Sequence, residues 1–158
     1  MNNYDYRVNL VDDYLKKLNL SNEIKKYYSG RNILVTGGAG AIGSNLVTTL
    51  SKLVGNDGMI IVLDNLSAIK GDEPIDLPPL SNMMFVNGDI RNDIDLKRVF
   101  REKPTIVYHL AAFFANQNSV DYPETSADVD IHGMIKLLDL AQFTGVDKFV
   151  YASSGCAI

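Results

Sequence analysis

The sequence predicts a doubly wound α/β domain on a parallel sheet. Five short, continuous apolar runs recur along the chain, and segments of helical periodicity separate them. None of the runs shows the apolar–polar alternation of a half-buried antiparallel strand, so each is read as a strand covered on both faces by crossover helices.

Residues 1–30 stand apart as a helical extension ahead of a main domain over 31–158. In VNLVDDYLKKLNLSNEIKKYY, Val8, Val11, Leu15 and Leu18 recur at spacings of three and four among charges, which predicts one or two amphipathic helices packed on the domain. Gly30 closes the segment. Asn32 to Thr36 (NILVT) is the first strand, Ala41 to Val54 the first crossover helix and Met59 to Asp64 (MIIVLD) the second strand. A loop follows in which Pro74, Pro78 and Pro79 exclude helix and central strand. MMFVNGD then reads as a strand, and NDIDLKRVFREK as a helix capped by Asn92 and ended at Lys103-Pro104. TIVYHLA is the fourth strand, Pro123 to Gly145 a long helix, and KFVYASS the fifth strand.

The chain has 158 residues, of which 46% are hydrophobic and 22% charged, the balance of a soluble globular domain that buries its core without disulfides. A single cysteine, Cys156, cannot form an internal bridge, so a reducing cytoplasm is the expected compartment. With 15 basic residues scattered among 19 acidic ones, no nucleic-acid or anionic-membrane surface is expected. The N-terminus does not read as a signal peptide, and no apolar run reaches the roughly 18 residues of a membrane span. Two histidines and one cysteine form no metal-ligand pattern.

Between the first strand and its helix lies Thr36-Gly37-Gly38-Ala39-Gly40-Ala41-Ile42-Gly43-Ser44. The spacing G-x-x-G-x-x-G suits a pyrophosphate at a helix N-terminus, where unpaired amides and the helix dipole favour anions. Gly37 permits the turn, Gly40 the close approach of the phosphates and Gly43 the packing of helix on strand. Asp64 ends the next strand about twenty residues later, where a carboxylate can accept from the adenine-ribose hydroxyls. A carboxylate there repels a 2′-phosphate, and no arginine follows within the next few residues, so the expected cofactor is NAD rather than NADP. The Lys-Ser or Lys-Thr pair of a nucleoside-triphosphate loop is missing after Gly43, where Ser44-Asn45 stands instead.

These segments resemble the extended short-chain dehydrogenase/reductase family, in its nucleotide-sugar epimerase/dehydratase branch, from Asn32 to the last residue. TGGAGAIGS is similar to that branch's T-G-G-x-G-x-I-G-S. The resemblance places Gly37, Gly38, Gly40, Ala41, Ile42 and Gly43 at the cofactor's phosphates. It sets LDNLS, with Asp64, Asn65 and Leu66, at the adenosine ribose, and GDIRN, with Asp89 and Ile90, at the adenine. YHLAA puts Leu110, Ala111 and Ala112 beside the cofactor, and VYASSGCAI carries a catalytic hydroxyl at Ser154, with Ser153 as the alternative register. Read on their own, Asp89 and Asn92 could equally be a helix start, and His109 a satisfied core histidine.

In that family a Tyr-x-x-x-Lys pair follows the serines, and the lysine lowers the tyrosine's pKa. No such pair follows Ser154, so the 158-residue chain by itself is expected to be inactive and to lack the substrate domain. A second departure is Asp130, which stands in Asp130-Ile131-His132-Gly133-Met134 where the family often has asparagine in N-V-x-G-T. The resemblance implies an NAD-dependent epimerase that oxidises and re-reduces the sugar at C4, ahead of a dehydratase, because Ser153-Ser154-Gly155-Cys156 lacks that branch's Asp-Glu pair. A non-catalytic NAD-binding module is the alternative from another class. The implied partner is a nucleotide sugar, with a homodimer built on the long helix. Ile131, Ile135, Leu138 and Phe143 are read chiefly as core, with an interface as the alternative.

Overall fold

A computed structural model describes residues 3–68, 77–114 and 116–154. Pro74 and Cys156 lie outside the described residues. The element order is α1 (Asn3–Leu18), α2 (Asn22–Tyr28), β1 (Asn32–Thr36), α3 (Ala41–Val54), β2 (Met59–Asp64), β3 (Met83–Asn87), α4 (Asp93–Phe100), β4 (Ile106–His109), α5 (Asn116–Asp121), α6 (Pro123–Ala127), a π-helical segment (Asp128–Gly133), α7 (Met134–Thr144) and β5 (Lys148–Tyr151). The strands form one sheet in the order β3-β2-β1-β4-β5, and every pairing is parallel. The chain runs outward from β1 in one direction through β2 and β3, and in the other through β4 and β5. The crevice outside the carboxyl ends of β1 and β4 is therefore the switch point at which open α/β sheets bind ligands.

Alternate residues of each central strand face opposite layers. Ile33 and Val35 join Val47, Leu50 and Val54 of α3 on one side of the sheet. Leu34 joins Leu96 and Val99 of α4 and Leu137 of α7 on the other. The sheet is thus covered twice, as continuous apolar strands require. Asn92 caps α4 by accepting from the Ile94 amide at 2.8 Å.

Three expectations are corrected. The fourth and fifth strands stop at His109 and Tyr151, the last pair in their shared register, so Leu110, Ala111, Ser153 and Ser154 lie beyond the sheet. The helix from Pro123 to Thr144 is interrupted by a π-helical stretch at Asp128–Gly133, and α5 was not anticipated. Ile131, Ile135, Leu138 and Phe143 are exposed rather than core, Phe143 at 89%, because α7 turns only Leu137 and Ala141 fully inward.

The extension does pack on the domain. Val11 is buried between α1 and α3, whereas Leu18 is exposed and does not continue the inward stripe. Ser21 caps α2, and Gly30 takes φ of 71° to turn the chain into β1. The Tyr28 and Tyr108 hydroxyls lie 2.7 Å apart, and burial, with that hydrogen bond, pushes the Tyr108 phenol up from its ordinary value.

Candidate functional site

A cleft of about 350 Å³ opens at the switch point. Its floor is the glycine turn. Gly37 has φ of 69°, and a Cβ there would lie 2.6 Å from the Ala111 amide nitrogen, so only glycine lets β1 turn this close to the end of β4. A Cβ on Gly43 would collide with the Gly37 carbonyl oxygen and the Gly38 backbone, so Gly43 packs α3 against the turn that follows β1 rather than against the strand itself. Gly37 and Gly40 line the cleft; Gly38 faces Val62 and Val47 instead. Ala41 and Ile42 form the first turn of α3 with exposed side chains, Ile42 at 74%, and can contribute backbone amides only.

Asp64 ends β2 at the cleft wall. Its two carboxylate oxygens accept from the Ala39 amide at 2.9 Å and the Leu66 amide at 2.8 Å. These bonds fix the carboxylate against both the glycine turn and the 65–67 turn, and each oxygen retains a lone pair for a further donor. Asn65 donates to Asp89 at 2.9 Å, joining the ends of β2 and β3. Arg91 grips Asp89 through two nitrogens, at 2.9 and 2.8 Å, and reaches Asp128 with a third at 3.2 Å. The Arg91 guanidinium holds the Asp89 carboxyl down at about 2, so it is ionised at neutral pH. Sequence distance from Asp64 hid this arginine, which lines the cleft but already serves two carboxylates.

Leu110, Ala111 and Ala112 line the opposite wall, followed by Phe113 and Phe114, which the sequence reading passed over. The loop is held from behind by Asp130, whose carboxylate accepts from the Phe113 amide at 2.8 Å and from the Ser126 hydroxyl at 3.1 Å. An aspartate oxygen meets this amide as well as an asparagine oxygen would, so the departure at 130 keeps an acceptor in place. The π-helical stretch carries Asp130, and its Gly133 lets Ile90 pack closely, since a Cβ would lie 2.7 Å from Ile90 Cδ1.

His109 is a core residue, 1% exposed, with Nδ1 2.7 Å from the Thr36 hydroxyl. Burial lowers its pKa to about 4, which keeps the ring neutral. Ser154 lies three residues past β5, exposed and outside the cleft lining. Among the described residues, no group of His, Cys, Asp and Glu is arranged to hold a metal, and no helix is long and apolar enough to cross a membrane.

The sequence profile of the NAD-dependent epimerase/dehydratase family matches residues 33–158, four-fifths of the chain in line with the extent of the fold just described. The chain belongs to the NAD-dependent epimerase/dehydratase family. Among its relatives, the UDP-glucose 4-epimerase of Mycolicibacterium smegmatis is 36% identical over 126 residues, which are 79% of this chain and 39% of that protein. The mouse dTDP-D-glucose 4,6-dehydratase is 36% identical over 132 residues, 78% of this chain and 35% of that protein. Among solved structures, an epimerase from Methanothermobacter thermautotrophicus superposes with a TM-score of 0.78 at 49% identity, covering 86% of this chain and 39% of that one. The Thermus thermophilus UDP-glucose 4-epimerase in complex with NAD gives 0.62 at 37% identity, covering 78% and 38%. The chain spans about two-fifths of the length of these family members. The cleft's polar groups fit the family's cofactor: backbone amides that can donate to a pyrophosphate and a fixed carboxylate that can accept from ribose hydroxyls.

Proposed function

We propose that this chain supplies the NAD-binding portion of a nucleotide-sugar epimerase similar to UDP-glucose 4-epimerase. The observation that carries the reading is the glycine turn at the switch point with Asp64 tied to its Ala39 amide. In this reading the amides around Gly38, Gly40, Ala41, Ile42 and Gly43 face the pyrophosphate. Asp64, Asn65 and Leu66 take the adenosine ribose, and Asp89 and Ile90 the adenine edge. Leu110, Ala111 and Ala112 flank the nicotinamide half, and Ser154 holds the sugar's reacting oxygen. The cofactor supplies a hydride acceptor for C4 of the sugar. The chain alone does not turn over, because no Tyr-x-x-x-Lys follows Ser154. Epimerisation is favoured over dehydration by the absence of an Asp-Glu pair after Tyr151. The exposed Ile131 of the π-helical stretch and Ile135, Leu138 and Phe143 of α7 fit a homodimer face.

The gene's full product, assayed with UDP-galactose, is expected to yield UDP-glucose with no net consumption of NAD, and the 158-residue chain to yield none. Accumulation of a dehydrated 4-keto-6-deoxy sugar nucleotide would overturn the epimerase reading in favour of the dehydratase one, which the relationship to the mouse enzyme keeps in view.

A further inference from the structure

The helices ahead of residue 33 lie outside the region that the family profile matches, yet α1 runs along α3, the helix whose N-terminus faces the cleft. Polar ties fasten α1 to opposite ends of α3. Lys52, in the last turn, donates to Asp12 at 3.1 Å. Arg7 Nη1 donates to the Ser44 hydroxyl at 3.2 Å, in the first turn.

Ser44 is fully buried. Its amide donates to the Gly40 carbonyl at 2.9 Å, and the Gly40 amide donates to the Gly37 carbonyl at 3.2 Å. Hydrogen bonds therefore run without a break from the extension to the glycine turn: Arg7 to Ser44, Ser44 to Gly40, Gly40 to Gly37. Arg7 does not line the cleft. Its guanidinium stands beside the first turn of α3, where a fixed cation reinforces the positive end of the helix that receives an anion.

We propose that Arg7 is a positioning residue for the dinucleotide's pyrophosphate, acting through Ser44 on the turn formed by Gly37 and Gly40. The extension is then part of the cofactor site at one remove, and its Asp12–Lys52 tie is a fastening with no share in that role.

The test is titration of the full 158-residue chain with NAD by calorimetry, alongside thermal unfolding. Arg7→Met is expected to weaken NAD binding roughly three- to tenfold, and Arg7→Lys to recover part of the loss. Asp12→Ala, which removes the tie to Lys52, is expected to lower the unfolding midpoint slightly and leave NAD affinity within about twofold of the parent. Ser44→Ala is expected to weaken binding as Arg7→Met does, and it decides the matter if Arg7→Met does not fold. Parental affinity in Arg7→Met or Ser44→Ala would overturn the proposal, as would an equal loss in Asp12→Ala, since bracing alone would then suffice. Failure of the folded parent chain to bind NAD would overturn the cofactor reading together with this one.

Discussion

The β1–α3 corner and the β5–α7 edge are built from equally apolar sequence and come out differently. In β1, residues 33–36 are buried, whereas β5 has no buried residue. β1 is flanked by β2 and β4 and roofed by helices on both faces, while among the described residues β5 pairs with β4 only. Strand composition is therefore not what separates a core from a surface here; the number of neighbours that topology assigns is. The edge formed by β5 and α7 leaves Tyr151, Ile135 and Phe143 exposed.

Core truncation should register that contrast most strongly. Leu34→Ala, at a fully buried site, is expected to destabilise by about 2–5 kcal/mol. Phe149→Ala in β5, only half-buried, should cost about 1–2 kcal/mol less than that in urea denaturation. Equal losses would mean that β5 is as well supported as β1.

The next effect is acid sensitivity at the centre of the sheet. Because the folded His109 has a pKa of about 4, below the ordinary 6.5, the unfolded chain binds its proton first as pH falls. The stabilisation is fully present above pH 6.5 and is lost between about pH 6.5 and 4, by up to about 3 kcal/mol. Denaturation at pH 7.5 and 4.5 should show this slope in the parent chain and a flatter one in His109→Asn. Asp89, held at about 2, adds a separate loss that begins only near pH 4 and below.

Smallest is the surface tie between the corner and the edge, Arg31 to Asp147 at 2.7 Å, with Asp147 56% exposed. Asp147→Ala should change stability by at most about 1 kcal/mol, less at high salt, in the same denaturation assay.

Much of the corner was legible in the sequence. NILVT, AIGSNLVTTLSKLV and MIIVLD have the same bounds in sequence and structure, because apolar runs end at glycines or Asp64 and leave little choice of register. The ends of β4 and β5 were not legible, since a strand stops where its partner stops, and His109 opposite Tyr151 is a tertiary fact. Nor was α5, whose residues Asn116–Asp121 are poor helix formers on the whole, or the π-helical stretch that turns Asp130 toward Phe113. Arg91 with Asp128, 37 residues apart, shows the same limit for the site. Local chemistry announced the glycines and Asp64; the groups that hold the walls upright are remote in sequence and become neighbours only on folding.

The central claim is that the β1–α3 corner of this chain binds NAD and discriminates against a 2′-phosphate. Calorimetric titration of the folded chain with NAD and with NADP tests it. The expected result is saturable one-to-one binding of NAD, at least about tenfold tighter than NADP, with the preference reduced in Asp64→Asn. No binding of NAD by a folded sample, or equal affinity for the two dinucleotides, would contradict it.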